Sequence, residues 1–134
     1  MEDQLLKAAW AAREKAYAPY SRFKVGAAIL TAGGSVFSGC NVEAANYGCT
    51  LCAERTAIVK AVSEGHLSPG GLEKVLVATQ TARPTAPCGS CRQMIEEFGT
   101  GETKVLLSSH PSRVDAVYNH AELLPHSFNA GNLE

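Results

Sequence analysis

The chain has 134 residues, a length typical of one domain and sufficient to bury about two-thirds of its unfolded surface around one core. With 46% apolar and 19% charged residues, its composition excludes disordered and low-complexity classes. Twelve Lys and Arg against 13 Asp and Glu leave a net charge of -1, which argues against a nucleic-acid or anionic-membrane surface and for a small, weakly charged partner.

In chain order, Glu2 to about Ala16 carries Leu5, Leu6, Ala9, Trp10, Ala12 and Ala16 at near-helical spacing among good helix formers, which predicts an amphipathic first helix. Pro19 breaks it. The runs Phe23–Leu30 and Ser35–Cys40 flank Gly33-Gly34 and predict a hairpin. The small residues Gly26, Ala27 and Ala28 predict a covered strand packed closely on a helix. Asn41 to Thr50 reads as a loop, and Leu51 to Glu64 as a helix with Thr50 as N-cap and Gly65 as terminator. Strands are expected at Leu72–Thr79, Thr103–Ser108 and Val114–Tyr118, and helices at Cys88–Phe98 and His120–Leu124. This order favours a mixed sheet covered by helices, in one domain spanning 1–134 with a loosely held tail at 129–134. No apolar run has the length of a membrane span, and the acidic start lacks the regions of a signal peptide, so a cytoplasmic protein is expected.

Five cysteines, at positions 40, 49, 52, 88 and 91, cannot all pair within one chain, and in a reducing compartment they point to metal, catalysis or burial. Two dense clusters stand out, Cys49-Thr-Leu-Cys52-Ala-Glu54-Arg55 and Pro87-Cys88-Gly-Ser-Cys91-Arg92. Each begins at an expected helix N-terminus, where free N–H groups stabilise thiolates. If Cys49 joins Cys52, Cys88 and Cys91, the site is a closed, structural four-cysteine zinc; if it does not, one metal position is open to water. Glu54, two residues beyond Cys52, favours the open site, because a carboxylate there can take a proton from water and hand it to a leaving nitrogen. One objection is that residues two apart on a regular helix do not share a face, so the pair must sit where the helix begins. Arg55 and Arg92 could offset the thiolate charge. Cys40 and Cys49 otherwise read as small buried hydrophobes, and the four histidines lack metal spacing to the cysteines.

Zinc deaminases as a class carry His-x-Glu, or a three-cysteine ligand set, together with Pro-Cys-x-x-Cys, and Cys52-Ala-Glu54 with Pro87-Cys-Gly-Ser-Cys91 matches that description. From Leu5 to Phe128 the sequence resembles the small cytidine deaminases of pyrimidine salvage. The resemblance lies in Tyr17-Ala-Pro-Tyr-Ser-Arg-Phe-Lys-Val-Gly-Ala-Ala, Gly39-Cys-Asn-Val-Glu, Cys52-Ala-Glu-Arg-Thr-Ala and Pro87-Cys-Gly-Ser-Cys-Arg-Gln. It implies a three-layer α/β/α sandwich around a mixed five-stranded sheet, one Zn2+ per chain, and a homotetramer acting on cytidine and 2'-deoxycytidine. Carried onto this sequence, it implies that Cys52, Cys88 and Cys91 ligate zinc, Glu54 shuttles protons and Arg55 bonds ligand thiolates. Phe23 would pack on the pyrimidine, Asn41 and Glu43 would hold the ribose hydroxyls, and backbone near Ala53 and Ala86 would contact the base. Tyr47 and Phe128 would complete a neighbouring subunit's pocket. The residue chemistry suits this: Asn donates and accepts, Glu accepts, and Phe offers a flat apolar platform. Two departures bear on substrate preference: Ala44-Ala45-Asn46 follows Glu43, where the family commonly has asparagine next, and Ala86 stands where serine is common. Three rivals remain at this level: another aminopyrimidine nucleoside as substrate, a non-enzymatic four-cysteine zinc module, and nucleic-acid editing, which the charge disfavours.

Overall fold

The computed structural model describes residues 1–133. Helix α1 (Glu2–Arg13) precedes a hairpin of β1 (Val25–Thr31) and β2 (Val36–Cys40); α2 (Ala53–Ser63), β3 (Leu72–Thr79), α3 (Gly89–Phe98), β4 (Lys104–Ser108), β5 (Ala116–Asn119) and α4 (His120–Leu123) follow. The strands form one sheet in the order β2-β1-β3-β4-β5. The β3–β4 pair is parallel and every other pair is antiparallel. This is the mixed five-stranded α/β/α sandwich that the sequence and its resemblance imply.

The inner strands are apolar on both faces because both faces are covered. Ile29, Val75, Val77, Val105 and Leu107 pack against Ala57, Ile58 and Ala61 of α2 and Ile95 of α3. The alternate residues Ala28, Leu30, Leu76, Ala78 and Leu106 pack against Leu5 and Ala9 of α1. At Gly26 the contact is closest: a Cβ would lie 1.9 Å from the Ala9 carbonyl oxygen. Relief requires moving the α1 backbone. Gly26→Ala is therefore expected to destabilise the fold by about 3 kcal/mol, the upper end of overpacking costs. Urea unfolding measures this, and a loss under about 1 kcal/mol would show that α1 shifts freely.

Several boundaries differ from expectation. Helix α1 ends at Arg13, short of Ala16, because the Tyr17 N–H leaves the helix to donate to the Asn41 carbonyl at 3.0 Å. The N-cap of α2 is Cys52 and not Thr50. Thr50 instead has extended backbone after a 3-10 turn at Tyr47–Cys49, and its hydroxyl accepts from the Ala44 N–H. The strand expected at Val114–Tyr118 runs Ala116–Asn119. In the tail, Ala130–Leu133 form an exposed 3-10 turn, while Glu134 lies outside the described residues. Among the described residues no helix is long and apolar enough to cross a membrane.

Candidate metal centre and pocket

The site forms at the carboxyl end of β3, where the N-termini of α2 and α3 converge. Cys52 caps α2 and Cys88 caps α3, both with extended backbone, and Cys91 lies in the first turn of α3. Their three sulfurs all lie within 4.8 Å of one another, and those of Cys52 and Cys88 are 3.5 Å apart. Three thiolates on a tetrahedral zinc, each at about 2.3 Å, would stand roughly 3.8 Å apart. The donor set and its spacing thus fit zinc. Two helix N-termini aimed at the cluster favour the anionic sulfurs.

Electrostatics within the cluster follow from contact and burial. The Cys52 thiol is drawn down to about 5, first by its hydrogen bond with Cys91 and further by Arg55. The buried Cys91 thiol is pushed up by that same bond, burial adding to it. Arg55 Nη2 donates to the Thr50 carbonyl at 3.1 Å and to the Cys52 sulfur at 3.8 Å, so this arginine reaches one of the three clustered sulfurs. Arg92 does not share that role: its guanidinium grips the Pro87 carbonyl and the Leu123 carbonyl, each at 2.8 Å. It ties the loop before Cys88 to α4.

Glu54 is 3% exposed, and burial pushes its carboxyl up to about 7. The objection from helical geometry is resolved by the cap: Cys52 is outside the helix and Glu54 is its second residue, so the two side chains need not follow one helical surface. Cys49 is exposed and stands outside the metal-binding group, which corrects both the four-cysteine alternative and its reading as a buried hydrophobe. Cys40 is half-buried. His120, one of the four histidines without metal spacing to the cysteines, is fully buried with its Nε2 at 2.9 Å from Glu96.

Beside the thiols is a cavity of about 290 Å3, lined by Phe23, Asn41, Glu43, Ala53, Glu54 and Ala86 together with Cys52 and Cys88. That volume is near the lower end of small-molecule sites, roughly 300–1,000 Å3. Asn41 is fixed by its own chain: its Oδ1 accepts from the Val25 N–H at 2.9 Å and its Nδ2 donates to the Phe23 carbonyl at 2.7 Å. Glu43 accepts from the Tyr20 and Ser21 N–H groups at 2.9 and 3.0 Å and from the Ser21 hydroxyl. The hydroxyl and backbone bonds of Ser21 hold its carboxyl below the usual range. Each side chain keeps unused capacity, one N–H and a lone pair on Asn41 and a lone pair on Glu43.

Tyr47 and Phe128 do not line this cavity. Both are exposed, at 75% and 59%, and Tyr47 meets Tyr20 edge-on with ring centroids 6.0 Å apart. The sequence reading missed Thr79 and Thr85 in the cavity wall. Thr79 ends an expected strand, but nothing local marks that end as the ligand side. It also missed Ser21, whose neighbourhood with Glu43 exists only after the chain folds back.

Three thiolates that leave a metal one further position, with a buried carboxylate alongside, place the protein among the zinc-dependent hydrolases. Residues 1–107 match the family described as the cytidine and deoxycytidylate deaminase zinc-binding region, and the chain belongs to that family. The cytidine deaminase of Halalkalibacterium halodurans is 46% identical over 129 residues, covering 96% of this chain and 95% of its own. The crystal structure of cytidine deaminase from Burkholderia pseudomallei superposes with a TM-score of 0.88 at 48% identity, covering 96% of this chain and 99% of that one. That of the Mycobacterium leprae cytidine deaminase gives 0.77 at 40% identity, covering 93% and 98%.

Proposed function

We propose that the protein converts cytidine and 2'-deoxycytidine to uridine and 2'-deoxyuridine with release of ammonia, in cytoplasmic pyrimidine salvage. The observation that carries this reading is the juxtaposition of the three-thiol cluster and Glu54 with a nucleoside-sized cavity walled by Phe23, Asn41 and Glu43. Cys52, Cys88 and Cys91 hold the zinc, with Arg55 bonded to the Cys52 sulfur. Zinc, when bound, supplies the Lewis acidity that makes water nucleophilic at neutral pH.

Glu54 takes the proton of the attacking water as its oxygen bonds to C4 of the cytosine ring. It then delivers a proton to the exocyclic nitrogen, the C4–N bond breaks, and ammonia leaves. Phe23 offers its ring to the pyrimidine, and backbone near Ala53 and Ala86 contacts the base. The remaining donor and acceptors of Asn41 and Glu43 take the ribose hydroxyls; because both side chains are already anchored, little further ordering is needed on binding. The same reading makes the chain one deaminase domain and the assembly a homotetramer in which Tyr47 and Phe128 complete neighbouring pockets. A net charge of -1 argues against nucleic-acid and anionic-membrane partners.

Ultraviolet absorbance on mixing cytidine with the purified protein, with zinc measured on the same sample, tests this. Conversion to uridine at about one zinc per chain, abolished by a chelator and restored by zinc, is the expected result. A folded, zinc-loaded sample that leaves cytidine intact would overturn it and point to another aminopyrimidine nucleoside.

A further inference from the structure

We infer that Gln93 and Glu96 are positioning residues, which hold Phe128 ready to complete the nucleoside pocket of a second copy of the chain. This rests on the functional reading above. Phe128 is 59% exposed and does not line its own chain's cavity. A large aromatic near a chain end is held in one place only if its backbone is tied down.

The ties come from one helix. Gln93 Nε2 donates to the Phe128 carbonyl at 2.7 Å. The next residue, Asn129, donates through Nδ2 to Glu96 Oε2 at 3.3 Å. The other oxygen, Oε1, meets Nε2 of the fully buried His120 at 2.9 Å, which fixes the plane of the carboxylate. Residues 128 and 129 are thus both gripped, while the phenyl ring stays in the open.

Gln93 and Glu96 stand three apart, so they share one helical face. Their helix, α3, begins at the cysteines of the metal centre. The rod that sets Cys88 and Cys91 therefore also sets Phe128, and a ring preorganised in this way binds without the entropic cost of ordering a loose terminus. Its seat is the apolar opening at Phe23, which lines the cavity and is itself 42% exposed.

The test is a double-mutant cycle on the zinc-loaded full chain, reading kcat and KM for cytidine. Gln93→Glu keeps the shape but sets an acceptor against the Phe128 carbonyl. Gln93 is exposed, so folding and zinc content are expected to match the parent. KM is expected to rise about five-fold with kcat within about two-fold, the size of one lost hydrogen bond. Phe128→Ala should raise KM further, and adding Gln93→Glu to it should change nothing more. An unchanged KM in Gln93→Glu, or the same rise with Phe128 already removed, overturns the inference. So does an active parent whose Phe128→Ala variant keeps its KM, and in that case the deaminase reading stands. A parent inert toward cytidine overturns both.

Discussion

Glu54→Gln is expected to lower kcat by about 10^2–10^4-fold, the range typical of a lost general acid–base, while zinc stays bound. Glutamine has nearly the same shape and can still hydrogen-bond, but it cannot accept a proton from water or carry one to the leaving nitrogen. The position sharpens the test. Glu54 is 3% exposed, so little bulk buffer can replace it, and burial already favours its neutral form. A neutral amide there relieves the desolvation of a buried carboxylate, so the variant should unfold no earlier than the parent. Turnover, zinc content and thermal unfolding on one preparation separate these effects. Near-normal turnover with zinc in place would remove Glu54 from the mechanism.

The second large effect is a contrast between cysteines. Cys88→Ala should lose zinc on dialysis and lose turnover beyond the roughly 10–100-fold typical of a residue that only supports a ligand. Cys49→Ala should keep both. The argument is geometric: Cys52, Cys88 and Cys91 place their sulfurs within 4.8 Å of one another, whereas Cys49 sits exposed in the 3-10 turn Tyr47–Cys49. Two thiolates cannot close a tetrahedral site, and with Cys88 exposed at the helix cap the damage should stay local. Equal zinc loss in the two variants would restore the closed four-cysteine site and with it a non-catalytic role.

The contrast also marks how far the sequence reached. Cys-x-x-Cys spacing occurs in both clusters, and spacing alone admits either three or four ligands. The structure separates them because Val42 pairs with Leu51. That pairing seats Leu51-Cys52 beside the hairpin and leaves the preceding turn, with Cys49, outside. The same contact moves the cap of α2 from Thr50 to Cys52 and lets Glu54 lie near its neighbouring ligand.

Local pattern was sufficient where local physics decides. The strand Leu72–Thr79 was legible to the residue, since a continuous apolar run between turn residues has few other uses in a covered sheet. Helix α3 stops at Phe98, just before Gly99. Gly26 announced a close helix, and a Cβ there would meet Ala9. Cys52, Cys88, Cys91 and Glu54 stand in local motifs, with Cys49 left open as a fourth ligand by spacing, whereas Phe23, Asn41 and Glu43 are implied only by the family resemblance. What the sequence by itself determined were the elements, the two cysteine clusters and Glu54 beside one of them, because propensity, periodicity and ligand spacing act over a few residues. Only the tertiary structure decided the strand order, the exclusion of Cys49, the turning of Arg92 onto the Pro87 and Leu123 carbonyls, the anchoring of Glu43 by Ser21 and the grip of Gln93 and Glu96 on residues 128 and 129. Each of these is a choice of partner among residues far apart in the chain, and such choices are made when packing against one sheet fixes which groups meet.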